Sequence, residues 1–195
     1  MRQTVIDRQT SETHVHVALD LDGTGQHAIF TGIGFLDHLM AHLAVHGLFD
    51  LSIQATGDLQ VDSHHTAEDV ALTLGKAFDQ ALGDRKGIVR IASAYVPMDE
   101  ALAFVAVDLS GRPYSVTDTE WAGSALGSLP VTLVPHLIQS LATSMRATIH
   151  ARVYSGHDDH HRAEALFKAL ARALGAATSL ESRRAGNVPS TKGVL

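Results

Sequence analysis

Between Val15 and Leu21 the apolar residues Val15, Val17, Leu19 and Leu21 alternate with His14, His16, Ala18 and Asp20. A period of two places one set on a buried face and predicts a strand running into Asp22-Gly23. The turn reads as a hairpin, with its return strand near His27 to Thr31. The spacing then changes: Phe35, Leu36, Leu39, Met40 and Leu43 recur at helical intervals, and Gly47 is placed to cap that helix. Phe49, Leu51, Ile53 and Ala55 alternate as a further strand. After Gly57-Asp58, the residues Ala67, Val70, Ala71, Leu74, Phe78 and Ala81 predict an amphipathic helix that stops at Gly83. Met1 to Thr13 is polar. The first half thus reads strand, strand, helix, strand, helix.

The second half gives the same order. Asp84 to Gly87 is a charged turn and Ile88 to Met98 a mixed connector. Ala101 to Leu109 predicts a strand, Ser110 to Pro113 a turn, Tyr114 to Thr117 the return strand, and Asp118 to Ser128 a polar loop. Leu133, Val134, Leu137, Ile138 and Leu141 have helical spacing, with Pro135 tolerable only in the first turn. Ala147, Ile149, Ala151 and Val153 alternate as a strand. His160-His161 then opens a helix with Ala163, Leu166, Phe167, Leu170 and Leu174 on its apolar face, closed by Gly175.

The two halves also share chemistry. His64-His65-Thr66-Ala67-Glu68 recurs 96 residues later as His160-His161-Arg162-Ala163-Glu164. The turn glycines Gly23 and Gly111 lie 88 residues apart, and His38 and His136 lie 98 apart. Such closely matched offsets are what a duplicated unit with small insertions leaves behind. The expectation is an α+β protein made of two β-β-α-β-α repeats, residues 1–92 and 93–195, forming one compact catalytic domain.

Composition narrows the chemistry. The chain of 195 residues is 45% hydrophobic and 18% charged, the profile of a soluble globular protein. A net charge of −6 with no basic block argues against nucleic acid as a partner. The longest apolar run, Ala101 to Val107, is too short to span a membrane, so a cytoplasmic protein is expected. With no cysteine, any metal must be held by imidazole nitrogen and carboxylate oxygen.

Thirteen histidines then become informative. Neighbours on a helix diverge by about 100°, so the two histidines of one pair do not easily face one ion, whereas a glutamate four residues after the first lies roughly 40° from it. Each repeated motif can therefore feed two metal sites. The repeat supplies His38, His64, His65 and Glu68 from the first half and His136, His160, His161 and Glu164 from the second. Six imidazoles and two carboxylates suit two intermediate divalent metals such as Mn, Fe, Co, Ni or Zn, with positions left open for substrate. His42 and His46 follow His38 on the same helix face; His46, beside Gly47, reads as a partner of the helix C-terminus. His14, His16, His27, His150 and His157 read as surface or strand histidines.

Three further features are weighed by their surroundings. Asp20-Leu21-Asp22-Gly23-Thr24 matches the nucleophile signature of haloacid-dehalogenase-type phosphatases. That signature needs a continuous apolar strand before it, and the alternation with histidines favours a plain turn. Val188 to Gly193 lacks the order of a phosphate-binding loop and reads as a frayed terminus, while Arg90 and Arg112 read as solvated cations beside turns.

Seven separated motifs nevertheless carry a family resemblance over essentially the whole chain: Gly34-Phe35-Leu36-Asp37-His38, His46-Gly47, Asp62 to Asp69, Pro97-Met98-Asp99-Glu100, Asp108 to Pro113, His160 to Lys168 and Pro189 to Gly193. In these residues the chain resembles the imidazoleglycerol-phosphate dehydratases of histidine biosynthesis. The resemblance implies two mixed sheets with helices packed between them, a fold similar to domain 2 of ribosomal protein S5. It implies dehydration of D-erythro-imidazole glycerol phosphate to imidazole acetol phosphate, two Mn2+ ions per active site with other divalent metals admissible, and a homo-oligomer of twenty-four subunits with sites at subunit interfaces. By position, the eight ligand candidates become the metal ligands, with Glu68 and Glu164 also at the reaction centre. Glu12 matches the acid/base glutamate; Arg90, Arg112, Ser190 and Lys192 match phosphate-binding groups; and Lys168 lies in the matching site motif. These roles reverse the reading of the tail and of both arginines. Each site is then expected to mix ligands from both repeats across a subunit boundary. Two departures stand out: His42 occupies a place near the substrate where many members carry glutamine, and Val134-Pro135-His136-Leu137-Ile138 replaces more usual acidic and phenylalanine residues.

Overall fold

The computed structural model describes residues 2–184 and 186–193. In the first half, β1 (Gln3–Gln9), β2 (Thr13–Asp20), β3 (His27–Phe30), α1 (Gly34–Gly47), β4 (Asp50–Gly57) and α2 (His64–Leu82) follow one another. The second half runs β5 (Ile91–Met98), β6 (Ala101–Asp108), β7 (Tyr114–Asp118), the short β8 (Ala125–Leu126) and β9 (Leu129–Pro130), α3 (Leu133–Met145), β10 (Thr148–Ser155) and α4 (Asp159–Thr178), before a helical turn at Ser182–Arg184. The sheets have orders β1-β2-β4-β3 and β5-β6-β10-β7, the same topology twice. Each expected β-β-α-β-α unit is present, and each is preceded by one further strand.

Those two extra strands correct the sequence reading of both segments. The polar start forms β1, antiparallel to β2, and the supposed connector forms β5, antiparallel to β6. Both are edge strands whose residues are mostly exposed or half-buried, so neither shows the apolar alternation that marks an interior strand. The two expected hairpins are also corrected. β3 does not return against β2, nor β7 against β6; each pairs in parallel with the last strand of its repeat, β4 or β10, which lies between them. The true hairpins are β1-β2 and β5-β6, and their turns carry Glu12 and Glu100. Asp118 to Ser128, read as loop, includes β8, which pairs with β9.

All four helices lie between the sheets. α2 packs on β1, β2 and β4 and α1 on β3, while α4 packs on β5, β6 and β10 and α3 on β7 and β10. Across the middle, α1 meets α4 and α2 meets α3, so each helix pair joins one repeat to the other. Val15, Val17 and Ile53 from one sheet and Ala103, Val105 and Ile149 from the other are fully buried, as is Leu36 on α1. Burial of this continuous apolar layer is the main driving force for the fold.

Glycine sets how closely the helices approach. A Cβ on Gly175 of α4 would stand 2.7 Å from the backbone oxygen of Gly47, and one on Gly75 of α2 would stand 2.7 Å from the oxygen of Leu141 on α3. Gly47 is thus the last residue of α1, placed there for close packing. The left-handed cap falls on Leu48, with φ of 59°. Arg85, buried beside the α2–α3 crossing, donates to the carbonyls of Met145 at 2.8 Å and Arg146 at 3.0 Å and holds the ends of these helices together.

Candidate metal centres and anion pocket

Both His-His-x-x-Glu motifs sit at helix N-termini. Asp158 caps α4, its carboxylate accepting the His160 N–H at 2.8 Å, and Asp62 accepts the His64 N–H at the same distance. A cap of this kind satisfies an otherwise unpaired amide and fixes where the first turn begins. The side chains of each pair then diverge as helical geometry requires: the rings of His64 and His65 lie 6.1 Å apart and 80° inclined, and those of His160 and His161 6.1 Å apart and 86° inclined.

The first histidine of each pair turns inward toward the other repeat. His38 of α1 joins His160 and Glu164 of α4 in one cluster, with Glu164 Oε1 2.7 Å from His38 Nε2 and 2.8 Å from His160 Nε2. His136 of α3 joins His64 and Glu68 of α2 in the other, with His136 Nε2 3.0 Å from Glu68 Oε1. In both groups the donor atoms fall within 4.8 Å of one another. Each cluster therefore takes one histidine from one repeat and a histidine and a glutamate from the other, all within a single chain. Pro135 stands in the first turn of α3, so it leaves the helix intact and delivers His136 to its cluster.

The clusters differ in their surroundings. Burial alone would raise the Glu164 carboxyl, but Lys168 Nζ at 2.6 Å, with His38 and His160, holds it well below the usual carboxylate range. His42 stands 3.3 Å from both His38 Nε2 and Glu164 Oε2. Burial drives its pKa down to about 4, against the opposing pull of Glu164, so its ring is neutral near pH 7. Leu72 and Ser140 occupy the repeat positions of Lys168 and His42, so the His64/Glu68/His136 cluster lacks both groups.

The second histidine of each pair turns away from these clusters and is held by a carboxylate at Nδ1. His65 meets Asp58 at 2.9 Å, and His161 meets Glu100 at 2.8 Å. The hydrogen bond that each histidine donates to its carboxylate raises the pKa of that histidine. Neither Nε2 makes a hydrogen bond among the described residues. Glu12, in the β1–β2 turn, stands 3.8 Å from His65 Nδ1. The turn is tied down by hydrogen bonds: Thr10 Oγ1 accepts the N–H of Thr13 at 3.0 Å, and Arg8 joins β1 to Asp69 of α2 at 2.8 Å.

The four expected phosphate-binding residues also meet. Arg90, Arg112, Ser190 and Lys192 line one pocket of about 620 Å³, together with Arg184. Arg90 is not solvated: Asp108 accepts from its Nε at 2.7 Å and its Nη2 at 3.0 Å, and the Pro189 carbonyl accepts from Nη1 at 2.6 Å. Asp108 holds Arg90 above its ordinary pKa. The tail is held by that bond and by the Gly87 N–H donating to the Asn187 carbonyl at 3.0 Å. Arg112 remains largely exposed beside the pocket. The phosphatase signature finds no support, since β2 runs antiparallel to both β1 and β4 and the Asp20 carboxylate accepts the Asp22 N–H.

Three residues escaped sequence reasoning. Asp58 holds His65 from the segment entering α2, Glu100 holds His161 from the distant β5–β6 turn, and Arg184 joins the pocket from the final helical turn. Glu100 alone left a signal: it follows Glu12 by 88 residues, the offset of the turn glycines.

A family model described as imidazoleglycerol-phosphate dehydratase matches residues 31–174. Curated proteins of that name from Roseiflexus sp. (strain RS-1) and Chloroflexus aurantiacus are 57% identical over 194 residues and 55% identical over 195, each spanning 100% of this chain and covering 98% and 95% of the relative. Among solved structures, a Pyrococcus furiosus protein described as IGPD in complex with (S)-C348 superposes with a TM-score of 0.83 at 37% identity, over 97% of this chain and 100% of that one. The Staphylococcus aureus imidazoleglycerol-phosphate dehydratase gives 0.82 at 32% identity, over 91% and 100%.

Proposed function

Since this chain belongs to the imidazoleglycerol-phosphate dehydratase family, we propose that it dehydrates D-erythro-imidazole glycerol phosphate to imidazole acetol phosphate at divalent metal centres completed between copies of the chain. The single observation that carries this reading is the pair of His-His-Glu clusters, each assembled across the duplication.

The donors fit intermediate divalent ions, with His38, His160 and Glu164 holding one and His64, Glu68 and His136 the other. Three nitrogen and oxygen ligands leave positions open, and Mn2+ suits that set, as other divalent metals would. When bound, such ions supply Lewis acidity that stabilises negative charge on the substrate imidazole. Glu12, in the β1–β2 turn, would take the proton from carbon and return one to the departing hydroxyl, which leaves as water. The enol so formed tautomerises to the ketone. Lys168, 2.6 Å from Glu164, supplies a cation beside the first cluster, and neutral His42 offers a ring nitrogen there without adding charge.

The anion pocket bears on where the substrate lies. The Arg90 N–H donates to the carbonyl of Ala177 near the C-terminal end of α4, whereas His160 stands at the N-terminal end. At 1.5 Å per residue the two ends are about 25 Å apart. Asp108 and Ala101, at opposite ends of β6, repeat that separation at roughly 23 Å. An imidazole carrying a phosphorylated three-carbon chain is less than half as long. The pocket of one chain therefore serves the clusters of another, with Arg90, Arg112, Ser190 and Lys192 receiving the phosphate. His65 and His161, each with Nδ1 held by a carboxylate and Nε2 without a hydrogen bond among the described residues, are suited to complete the coordination of ions in neighbouring copies, although Asp99 Oδ2 stands 3.8 Å from His161 Nε2. A shell of twenty-four subunits satisfies these demands, with residues 1–92 and 93–195 acting as one catalytic unit in each copy. Among the described residues no helix is long and apolar enough to cross a membrane, consistent with work in the cytoplasm.

The test is turnover of imidazole glycerol phosphate, followed as the enolisable ketone, before and after chelation. The chelated protein is expected to be inactive and to recover with Mn2+. Undiminished turnover after complete metal removal would contradict the metal-dependent reading.

A further inference from the structure

Glu12 and Glu100 occupy matching places in the two repeats, yet their carboxylates are used differently. Glu100 Oε1 accepts the N–H of His157 at 3.2 Å and of Asp158 at 3.0 Å, and its Oε2 meets His161 Nδ1 at 2.8 Å. Both of its oxygens are directed at the segment entering α4 and its first turn. The Glu12 carboxylate makes no hydrogen bond among the described residues and is half exposed.

The cause lies at the end of the last strand in each repeat. A Cβ added to Gly57 would meet Thr13 and Thr66, and one added to Gly156 would meet Ala101 and Arg162, which are their repeat counterparts. Gly57 and Gly156 are thus equivalent, and the residue that follows is Asp58 in the first repeat but His157 in the second. Where the first repeat has a carboxylate to hold the second histidine of its motif, the second repeat has none. Glu100 fills that place from the neighbouring turn.

An imidazole ligates metal through an unprotonated nitrogen. A carboxylate accepting from Nδ1–H keeps the proton there and leaves the Nε2 lone pair free, while locking the ring plane. We propose that Asp58 and Glu100 are the positioning residues that set the tautomer and aim of His65 and His161, and that this arrangement leaves Glu12 as the only one of the two matching glutamates free for proton transfer. The proposal rests on His65 and His161 being metal ligands, as argued above.

The two carboxylates differ in what an amide would do. In Glu100→Gln one oxygen becomes an NH2. Facing the two backbone N–H donors would set donor against donor, so the NH2 faces His161 and forces Nδ1 to accept. The ring proton then sits on Nε2 and blocks the metal. Asp58 Oδ1 is buried with no partner among the described residues, so in Asp58→Asn the remaining oxygen can still face His65.

Mn2+ titration followed by the electron paramagnetic resonance of the free ion reads affinity and stoichiometry without turnover. His161→Ala is expected to lose affinity at the site it completes, Glu100→Gln to weaken that site about 10- to 100-fold, Asp58→Asn to weaken its own site less, and Glu12→Gln to bind as wild type while losing turnover. Wild-type affinity in Glu100→Gln alongside loss in His161→Ala would overturn the proposal and leave the ligand assignment standing. Wild-type affinity in His161→Ala would instead overturn the assignment on which it rests. Should Glu100→Gln fail to fold, 15N resonances of the histidine rings in the unsubstituted, metal-free protein at alkaline pH read the tautomers directly. Nδ1–H on His65 and His161 is expected, and Nε2–H on either would overturn the proposal.

Discussion

His38 Nε2 and Glu164 Oε1 lie 2.7 Å apart although 126 residues separate them, one on α1 of the first repeat and the other on α4 of the second. His136 and Glu68 form the reciprocal contact at 3.0 Å. Duplication has thus produced two centres that neither repeat could build alone, because each needs a short helix from one half and a motif helix from the other. Replacing either His38 or Glu164 should remove one Mn2+ equivalent and lower kcat/KM by more than about 100-fold, beyond the range of outer-shell changes. The double variant should do little more, since both act on one ion. Metal content and turnover measured on the two singles and the double check this, and additive losses would place the residues in separate sites.

Metal binding should weaken as pH falls. Asp58 and Glu100 raise the pKa values of His65 and His161, so these rings keep their protons to higher pH than an ordinary imidazole. A metal must displace that proton, and apparent affinity declines as protonation proceeds. His42, pushed down to about 4, stays neutral throughout and should not contribute. Titrations between pH 6 and 9 should show proton release on binding and tighter binding at the alkaline end. A flat profile would contradict the participation of these histidines.

The phosphate pocket should act on substrate binding. Arg112 is largely exposed, so Arg112→Ala should leave the melting temperature unchanged. One charged hydrogen bond contributes about 1.5–3 kcal/mol, so KM should rise about 10-fold or more with little change in kcat. A variant with wild-type KM would remove Arg112 from the pocket's function.

Close helix packing gives a stability prediction. In Gly175→Ala the new Cβ would stand 2.7 Å from the Gly47 oxygen. Crowding of this kind costs about 1–3 kcal/mol, against about 1 kcal/mol returned by the better helix propensity of alanine. The balance is a net loss of about 1 kcal/mol, seen as a lower melting temperature. A higher one would show that α1 and α4 can move apart freely.

Particular residues show what the sequence made legible. The interior strands β2, β4, β6 and β10 announce themselves because one face of each is buried, and the repeated His-His-x-x-Glu motif exposes both the duplication and four of the six side chains that meet in the two clusters. The edge strands β1 and β5 bury too little to alternate. The pairing of β3 and β7 depends on which strand inserts beside them, a non-local choice that local turn residues do not record. Gly47 looked like a cap because it ends a helix, whereas its neighbour across the core, Gly175, explains it. Glu100 reaches His161 from a turn 61 residues away, a contact that the sheet pairing and not the local spacing decides.

The proposed pairing of one copy's metal clusters with another copy's anion pocket follows from α4, which puts about 25 Å between His160 and the Arg90 end of the same chain. Coexpression of a Glu164→Gln chain with an Arg112→Ala chain tests it most directly, because mixed assemblies contain sites in which intact clusters from the second face an intact pocket from the first. At substrate concentrations well below KM, where Arg112→Ala alone is about 10-fold impaired, turnover above that of either variant alone is predicted. Activity no greater than the sum of the two separate variants would contradict the account and place each complete site within a single chain.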